Sequence, residues 1–516
     1  MKFRMEQSLF SICLLGYCAS RLCGLTLLPI FLDEGNHILG AHEVLHGHVL
    51  APLVAGKALQ IWVNTLVVVP WLANTLWASR FINALCGAIT LWGCYKIGTL
   101  LFNKWIGLIS AGLYIICPFT LFYDRLAMSD GMLSTFGALT LLWSISIFQD
   151  PRKKYIWLLA ASMVLGLLAK MSGVLLLLTP LLVYLFMFRG KGTKAWGYLG
   201  RVYLYVAIFS AIPVFIFVWK TTQISFVTVL SDHSVNVLRN VYQNIGMTAE
   251  WLTSYWTPPV TILGIIGLVM GFVKRQSKSI LLATLVVLPI ILLAGIARIW
   301  FPRYILFASV PLLILVSWTI VEVKRTIESW VGKMPWHFKP FHVSMALSLV
   351  VFAMILLAAI RIDWCFWSDP SRASLPRIER FQYIEEWPSG YGVKEAAEYL
   401  LHESTKHTEG IVVIHHEMGD TTYYGLRVYC MKEPRIDVER LGLNEPESFV
   451  SLLKWASHRP TFVLLSWPDL GARKEDQPDI ERLLRIARLE KSYPKPGGSR
   501  IIEVYRVASF SKAESL

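Results

Sequence analysis

The sequence predicts a polytopic α-helical membrane protein that ends in a soluble α/β domain, and three observations carry that expectation. Of the 516 residues, 55% are hydrophobic and only 16% charged, with a mean hydropathy of +0.52. A soluble chain carries about 25% charged residues, so much of this one is solvated by lipid. The apolar residues fall in long runs with short polar breaks as far as Ile362, and from Asp363 the chain becomes an ordinary mixed sequence. Finally, the connections alternate between strongly basic ones and ones that hold far fewer Lys and Arg. These features divide the chain into a membrane domain, 1–362, and a domain of usual soluble size, 363–516.

A helix needs about 20 apolar residues to cross the hydrocarbon. Runs of that kind lie near 8–30, 80–100, 104–122, 129–148, 155–170, 171–188, 199–219, 258–273, 279–297, 303–322 and 341–362, about eleven spans. Lys2 and Arg4 precede a first run without a small-residue cleavage site, which predicts an uncleaved first helix. With the N-terminus cytoplasmic, the inner connections hold Lys96 and Lys104, then Arg152, Lys153 and Lys154, then Arg189, Lys191, Lys194 and Arg201. Lys274, Arg275 and Lys278 follow, and Lys324, Arg325 and Lys333 close the series. This is the distribution expected of cytoplasmic loops. An odd number of spans then puts the C-terminal domain outside, on the face of Asp33 and Glu34. The net charge of +14 is explained by these loops, so the expected partners include membrane lipids and no nucleic acid. Six of the eight cysteines lie in membrane segments as small apolar residues, and the spacing of Cys365 and Cys430 argues for no bridge.

The stretch 31–79 is too polar in its first half to span. Glu34 to Leu45 has helical spacing, which predicts a helix lying at the outer interface, with a second short helix near Leu59 to Trp71. In the tail, Val393, Ala396, Ala397, Leu400 and Leu401 mark a helix and IVVIHH (411–416) a buried strand. A helix near Thr421–Cys430, a strand near Arg435, a helix near Pro446–Ala456 and the strand TFVLLSW (461–467) follow. Glu475–Leu489 reads as a further helix, and the turn from Pro494 to Ser499 leads to a last strand, IIEVYRV. Strands alternating with helices predict a small three-layer α/β domain. No Gly-x-Gly-x-x-Gly follows its first strand, so no dinucleotide site is expected.

Candidate chemistry gathers on the outer face. Asp33 and Glu34 open the interfacial helix; the plainer role for Asp33 is capping that helix, the sharper one a general base. Asp130, in YDRLAMSDGMLSTF, stands at the start of a span, where an ionisable group marks function by default, although capping is again the simpler role. Asp124 beside Arg125 reads as a local ion pair. Lys57, Arg125, Lys170, Arg303 and Tyr304 share the face; each alone is an ordinary interfacial anchor, but together they suggest a phosphate site. Such a set suits sugar transfer from a lipid phosphate. The leaving group is then a stable anion, so cations that meet its developing charge replace the general acid of a glycosidase. One carboxylate suffices to deprotonate the accepting hydroxyl, and direct attack opposite the phosphate inverts the anomeric centre.

The motifs resemble those of C-type (GT-C) membrane glycosyltransferases, in particular the bacterial members of glycosyltransferase family 39, within the superfamily of protein O-mannosyltransferases and lipid A aminoarabinose transferases. The resemblance covers about the first 310 residues. It runs through FLDEGNHILGAHEVLHG, AGKALQIW, ASRFINALCGAIT, FYDRLAMSDGMLSTF, LGLLAKMSGVLLL and FPRYILFASVPLLIL, in the family's order. The prolines that usually follow the Gly-Lys pair are absent after Lys57. What the resemblance implies is Asp33 as the acceptor base, with Glu34 and Asp130 in the acceptor or metal-contacting shell. Lys57, Lys170, Arg303 and Tyr304, with Arg125, would meet the donor phosphate. The implied partners are a polyprenyl-phosphate-linked sugar and a lipid, glycan or protein hydroxyl; a divalent metal ion as cofactor is left open.

Two other readings compete. His42-Glu43-Val44-Leu45-His46 spells the HExxH pattern of zinc proteases, which puts two histidines on one helical face. His42 and His46 are therefore the metal-ligand candidates, with His37 and His48 nearby, but no later span offers a companion motif for a third ligand. A flippase for lipid-linked sugars is the other rival. It would be marked by paired Gly/Pro-broken spans in two halves and by charge at mid-membrane, rather than by charge on one face.

Overall fold

The computed structural model describes residues 2–69, 71–191, 193–231, 237–333, 340–415, 421–441, 446–468, 478–498 and 500–508. Each of the eleven apolar segments is helical over most of its length. Among the described residues, seven helices are long and apolar enough to cross a bilayer, or nine if two bent pairs each form one span. The N-terminal Lys2–Leu22 and the 17-residue Lys153–Ala169 fall short of that length or apolar content. The bends have a common cause. Lys104–Ile116 turns by 65° into Pro118–Asp124, and Arg239–Ser254 by 115° into Pro258–Val273. Proline lacks the N–H to continue a helix and holds the residue before it extended, so each break sits where the sequence places a proline. The first bend turns Tyr123 and Asp124 inward, where both are buried.

The interfacial stretch folds as Leu32–Leu45, Ala51–Val54 and Ala58–Asn64. Asp33 is not the cap of the first of these helices. Glu34 reaches back one turn and accepts from the Phe31 amide at 3.0 Å, which frees Asp33 to point elsewhere.

Beyond the long helix Pro340–Ser368, the chain builds a five-stranded sheet: β1 Ile411–His415, β2 Ile436–Arg440, β3 Thr461–Pro468, β4 Ala487–Pro494 and β5 Arg500–Val507. The order is β2-β1-β3-β5-β4, with β1 parallel to β2 and β3, and β5 antiparallel to β3 and β4. Alternation along β1 sends Ile411 and Val413 into one core with Val393, Leu400 and Leu426. Val412 and Ile414 enter the opposite core with Leu452 and Leu483, so helices cover both faces. One expectation fails. The helix expected over Glu475–Leu489 stops at Ile486, and 487–494 is an edge strand. ARLEKSYP shows no apolar face because both of its sides meet solvent, and charge is what protects a sheet edge from further pairing. Glu475, His416 and Ser499 lie outside the described residues.

The sheet half docks on the interfacial helix. Thr421–Cys430 brings Val428 against Ile38, Leu39 and Ala41, and Gly35 lets the backbones close on Tyr424, where a Cβ would stand 2.9 Å from the Tyr424 Cβ. The Leu32 amide donates to the Pro388 carbonyl at 3.1 Å, and Lys495 donates to the carbonyls of Glu386 (2.9 Å) and Ser389 (2.7 Å).

Candidate active site

Five separate stretches of sequence meet at one end of the helical body. Asp33, half-buried at the second position of its helix, forms ion pairs with Lys57 Nζ and with Arg303 Nη2, each at 3.4 Å from Oδ2. Asp130, on the first turn of Ser129–Gln149, takes Lys170 Nζ on Oδ1 at 2.5 Å. Lys170 stands where Lys153–Ala169 ends in an extended residue, so its side chain reaches back across the gap between helices. Its ammonium also lies 4.2 Å from the centre of the Tyr304 ring, which joins the two acid–base couples. The Arg303 guanidinium is held from several sides. Its Nη1 donates to Gln382 Oε1 at 2.6 Å and to Tyr383 Oη at 3.4 Å, and the group stacks over Phe301 at 4.3 Å.

Electrostatics make Asp33 an anion in this arrangement. Burial favours its neutral form, but Lys57 and Arg303, with smaller help from Lys170, outweigh burial and hold the carboxyl well below the usual range. The three cations outnumber the two carboxylates by one, so the partly enclosed cluster keeps a net positive charge.

The loop that delivers Asp130 is clamped from outside. Asn83 Nδ2 donates to the carbonyls of Leu126 and Met128, each at 2.7 Å. Glu34 Oε1 accepts from the Ala127 amide at 2.7 Å, and His37 Nδ1 meets the Ala127 carbonyl at 3.1 Å.

Two expected site residues take other parts. Glu34 is fully buried and turned away from Asp33. Arg80 grips it through Nε at 2.8 Å and Nη2 at 2.6 Å, and the Phe31 and Ala127 amides fill its remaining lone pairs. Arg80 spends its other N–H groups on the carbonyls of Leu25, Leu28 and Pro29. Glu34 is therefore a brace joining three segments, not an acid exposed to substrate. Arg125 likewise leaves the cationic set: its Nη2 donates to the Gly24 carbonyl at 2.6 Å beside Leu25, Leu28 and Phe366. Its neighbour Asp124 pairs with Arg21 at 3.5 Å rather than with Arg125.

His42 and His46 share a helix face as expected, with ring centres 4.3 Å apart, but His46 Nδ1 turns onto the His42 carbonyl and Glu43 faces His48 at 4.0 Å. Among the described residues, no group of three His, Cys, Asp or Glu side chains is arranged to hold a metal ion. The donor set does not fit the zinc-protease reading.

The segment Arg377–Glu385, which follows the last membrane helix, supplies residues that sequence reasoning passed over. Gln382 and Tyr383 hold Arg303. Glu379 is fully buried, and its Oε2 accepts from Tyr123 Oη at 2.6 Å and Tyr255 Oη at 2.8 Å. Burial pushes the Glu379 carboxyl up to about 7, with the tyrosine hydroxyls and Arg303 pulling the other way. A signal was present in the spacing: Glu379, Gln382 and Tyr383 stand at i, i+3 and i+4, one face of a helical turn beside the membrane.

A narrow apolar cleft opens between membrane helices, lined by Gly137, Leu175, Leu176, Pro289, Phe307 and Val310. Leu175 follows Lys170 on one segment and Phe307 follows Arg303 on another, so the cleft is lined in part by the segments that carry the two cations.

A family model described as dolichyl-phosphate-mannose-protein mannosyltransferase matches residues 61–219, a stretch that includes Asp130 and Lys170. No curated protein matches the chain by sequence. Among solved structures, the chain is similar to ArnT from Cupriavidus metallidurans in the apo state, with 12% identity and a TM-score of 0.59 over 96% of this chain and 97% of that one. The same enzyme bound to undecaprenyl phosphate gives 13% identity and a TM-score of 0.55 over the same shares of both chains. The archaeal oligosaccharyltransferase AglB from Archaeoglobus fulgidus, in complex with an inhibitory peptide and a dolichol-phosphate, gives 11% and 0.53 over 97% of this chain and 74% of that one. The likeness is one of fold: an integral membrane protein with the GT-C architecture and a C-terminal α/β sheet.

Proposed function

We propose that the protein is an inverting glycosyltransferase that moves a sugar from a polyprenyl-phosphate donor to a hydroxyl acceptor at the outer face of the membrane. The observation that carries this reading is the meeting of Asp33–Lys57–Arg303 and Asp130–Lys170, with an apolar cleft lined in part by the segments that carry Lys170 and Arg303. The donor phosphate lies against Lys57, Lys170 and Arg303 with Tyr304 beside it, and the isoprenoid tail follows the cleft. The bond from the anomeric carbon to the phosphate oxygen breaks as the acceptor oxygen attacks from the opposite side. Its electron pair leaves with the phosphate, where the three cations meet the growing charge. The acceptor's proton passes to Asp33.

An empty site in which Asp33 is strongly acidic holds a weak base. A seated phosphate changes that in two ways: it competes for Lys57 and Arg303, and it brings negative charge close to the carboxylate. Both raise the proton affinity of Asp33, so the base strengthens once the donor is bound. Asp130 anchors Lys170 and takes part in acceptor binding rather than proton transfer.

In this reading residues 1–362 form the transferase domain in a bacterial inner membrane, with the N-terminus cytoplasmic and 363–516 extracytoplasmic. The charges that matter lie together at one end of the helices, which favours transfer over transport of the lipid-linked sugar. The test is transfer of labelled sugar from polyprenyl-phosphate donors by purified protein and by Asp33→Asn. Transfer is expected to fall by orders of magnitude in the variant with folding unchanged, and an unaltered rate would remove Asp33 from the mechanism.

A further inference from the structure

His37 lies one helical turn after Asp33 and is almost fully buried. Its Nδ1 is 3.1 Å from the Ala127 carbonyl, which only accepts, so that nitrogen carries a proton. Its Nε2 is buried and makes no hydrogen bond among the described residues. Burial first, and then the charge of Lys57, push the imidazole down to about 4 against the opposing pull of Asp33 and Asp130. The ring is therefore neutral, its tautomer is fixed from behind, and the bare Nε2 is a hydrogen-bond acceptor kept among groups that all bear on the reaction. A buried acceptor without a donor is costly, and such an atom calls for an account of what fills it.

We propose that Nε2 of His37 accepts a hydrogen bond from a substrate hydroxyl, borne either by the sugar of the donor or by the acceptor. This rests on the transferase reading given above. Among the charged groups around the ring, Lys57, Lys170 and Arg303 only donate, while Asp33 and Asp130 serve these cations and the reacting acceptor, so a further substrate hydroxyl is left to the neutral Nε2. Lys57, a flexible side chain about a quarter exposed, stands beside the ring and moves off it when a phosphate takes its ammonium. The site thereby gains a neutral acceptor that orients a hydroxyl without adding charge against the departing phosphate.

Two substitutions separate this role from a structural one. In His37→Asn the amide takes the place of Nδ1, keeping the Ala127 contact and losing the acceptor. In His37→Gln the longer amide puts its oxygen where Nε2 was and gives up the Ala127 contact. A substrate contact predicts that Asn folds normally but loses about tenfold to a hundredfold in transfer, while Gln keeps most of the transfer and unfolds more easily. A rise in KM for the lipid donor alone assigns the hydroxyl to the sugar; a rise for the acceptor alone assigns it to the acceptor. Full activity in Asn with loss in Gln would overturn the proposal.

An independent measurement uses 15N-histidine-labelled full-length protein in nanodiscs, with the His37 signals identified by their loss in His37→Asn. One protonated and one bare ring nitrogen are expected at pH 7, and an imidazolium there would also overturn the proposal. If the wild-type protein transfers no sugar, the transferase reading fails, and the nitrogen signals decide the state of His37 by themselves.

Discussion

Replacing Glu34 by glutamine separates the two neighbouring acids of the interfacial helix. In the wild-type protein Arg80 and Glu34 are both fully buried and share two short contacts. The substituted amide leaves the Arg80 guanidinium facing three backbone carbonyls with no anion to balance it. Breaking a buried pair from one side costs about 3–5 kcal/mol. Exchanging both partners for apolar residues, Glu34→Leu with Arg80→Met, removes the orphaned charge and is expected to recover part of that loss. The amides of Phe31 and Ala127 and the carbonyls of Leu25, Leu28 and Pro29 lose their partners in the double variant, at about 1 kcal/mol or more each where no water replaces them, so the recovery is small. Thermal unfolding in nanodiscs, paired with transfer measured well below the transition, makes the comparison. The expected result is a lower unfolding midpoint for Glu34→Gln, a partial return in the double variant, and specific activity of the folded protein within about threefold of wild type. An unchanged midpoint with transfer reduced about a hundredfold would refute the brace and return Glu34 to the chemistry.

Two further outcomes follow from the segment beyond the last membrane helix. Glu379 holds its proton up to about pH 7, against an ordinary value of 4.5, so its contribution to stability is complete below pH 4.5 and is lost as the pH rises through 7. That difference is worth about 3 kcal/mol, and Glu379→Gln should flatten the fall in unfolding midpoint between pH 5 and 7; a slope identical to wild type would refute it. Gly390 presses on the Ile30 backbone, where a Cβ would stand 2.2 Å from the carbonyl oxygen, so Gly390→Ala should destabilise the protein by about 1–3 kcal/mol, and a wild-type midpoint would show that the junction yields freely.

The residues legible in the sequence share one property. Asp130, Lys170 and Arg303 are charges at the ends of apolar runs, where lipid makes an ionised group conspicuous. Glu379, Gln382 and Tyr383 do the same kind of work from a polar tail, where such residues are common and carry no contrast. Asp33 and Glu34 illustrate a different limit. Adjacent positions on a helix point about 100° apart, so one acid faces the cations and the other faces Arg80, and a dipeptide does not say which. In the tail, β1 and β3 were visible as apolar runs enclosed between layers, whereas β4, wet on both sides, carries the composition of a surface helix.

Arg303 owes its orientation to a stretch that follows it by almost eighty positions and belongs to the transition into the sheet. A chain cut after the final hydrophobic helix would retain all six recognisable motifs and still lack the wall behind its guanidinium. Grafting a foreign tail onto this membrane body would replace the side chains that hold Arg303, not an appendage. Changes beyond that helix would therefore reshape the surroundings of Arg303 without altering a single motif.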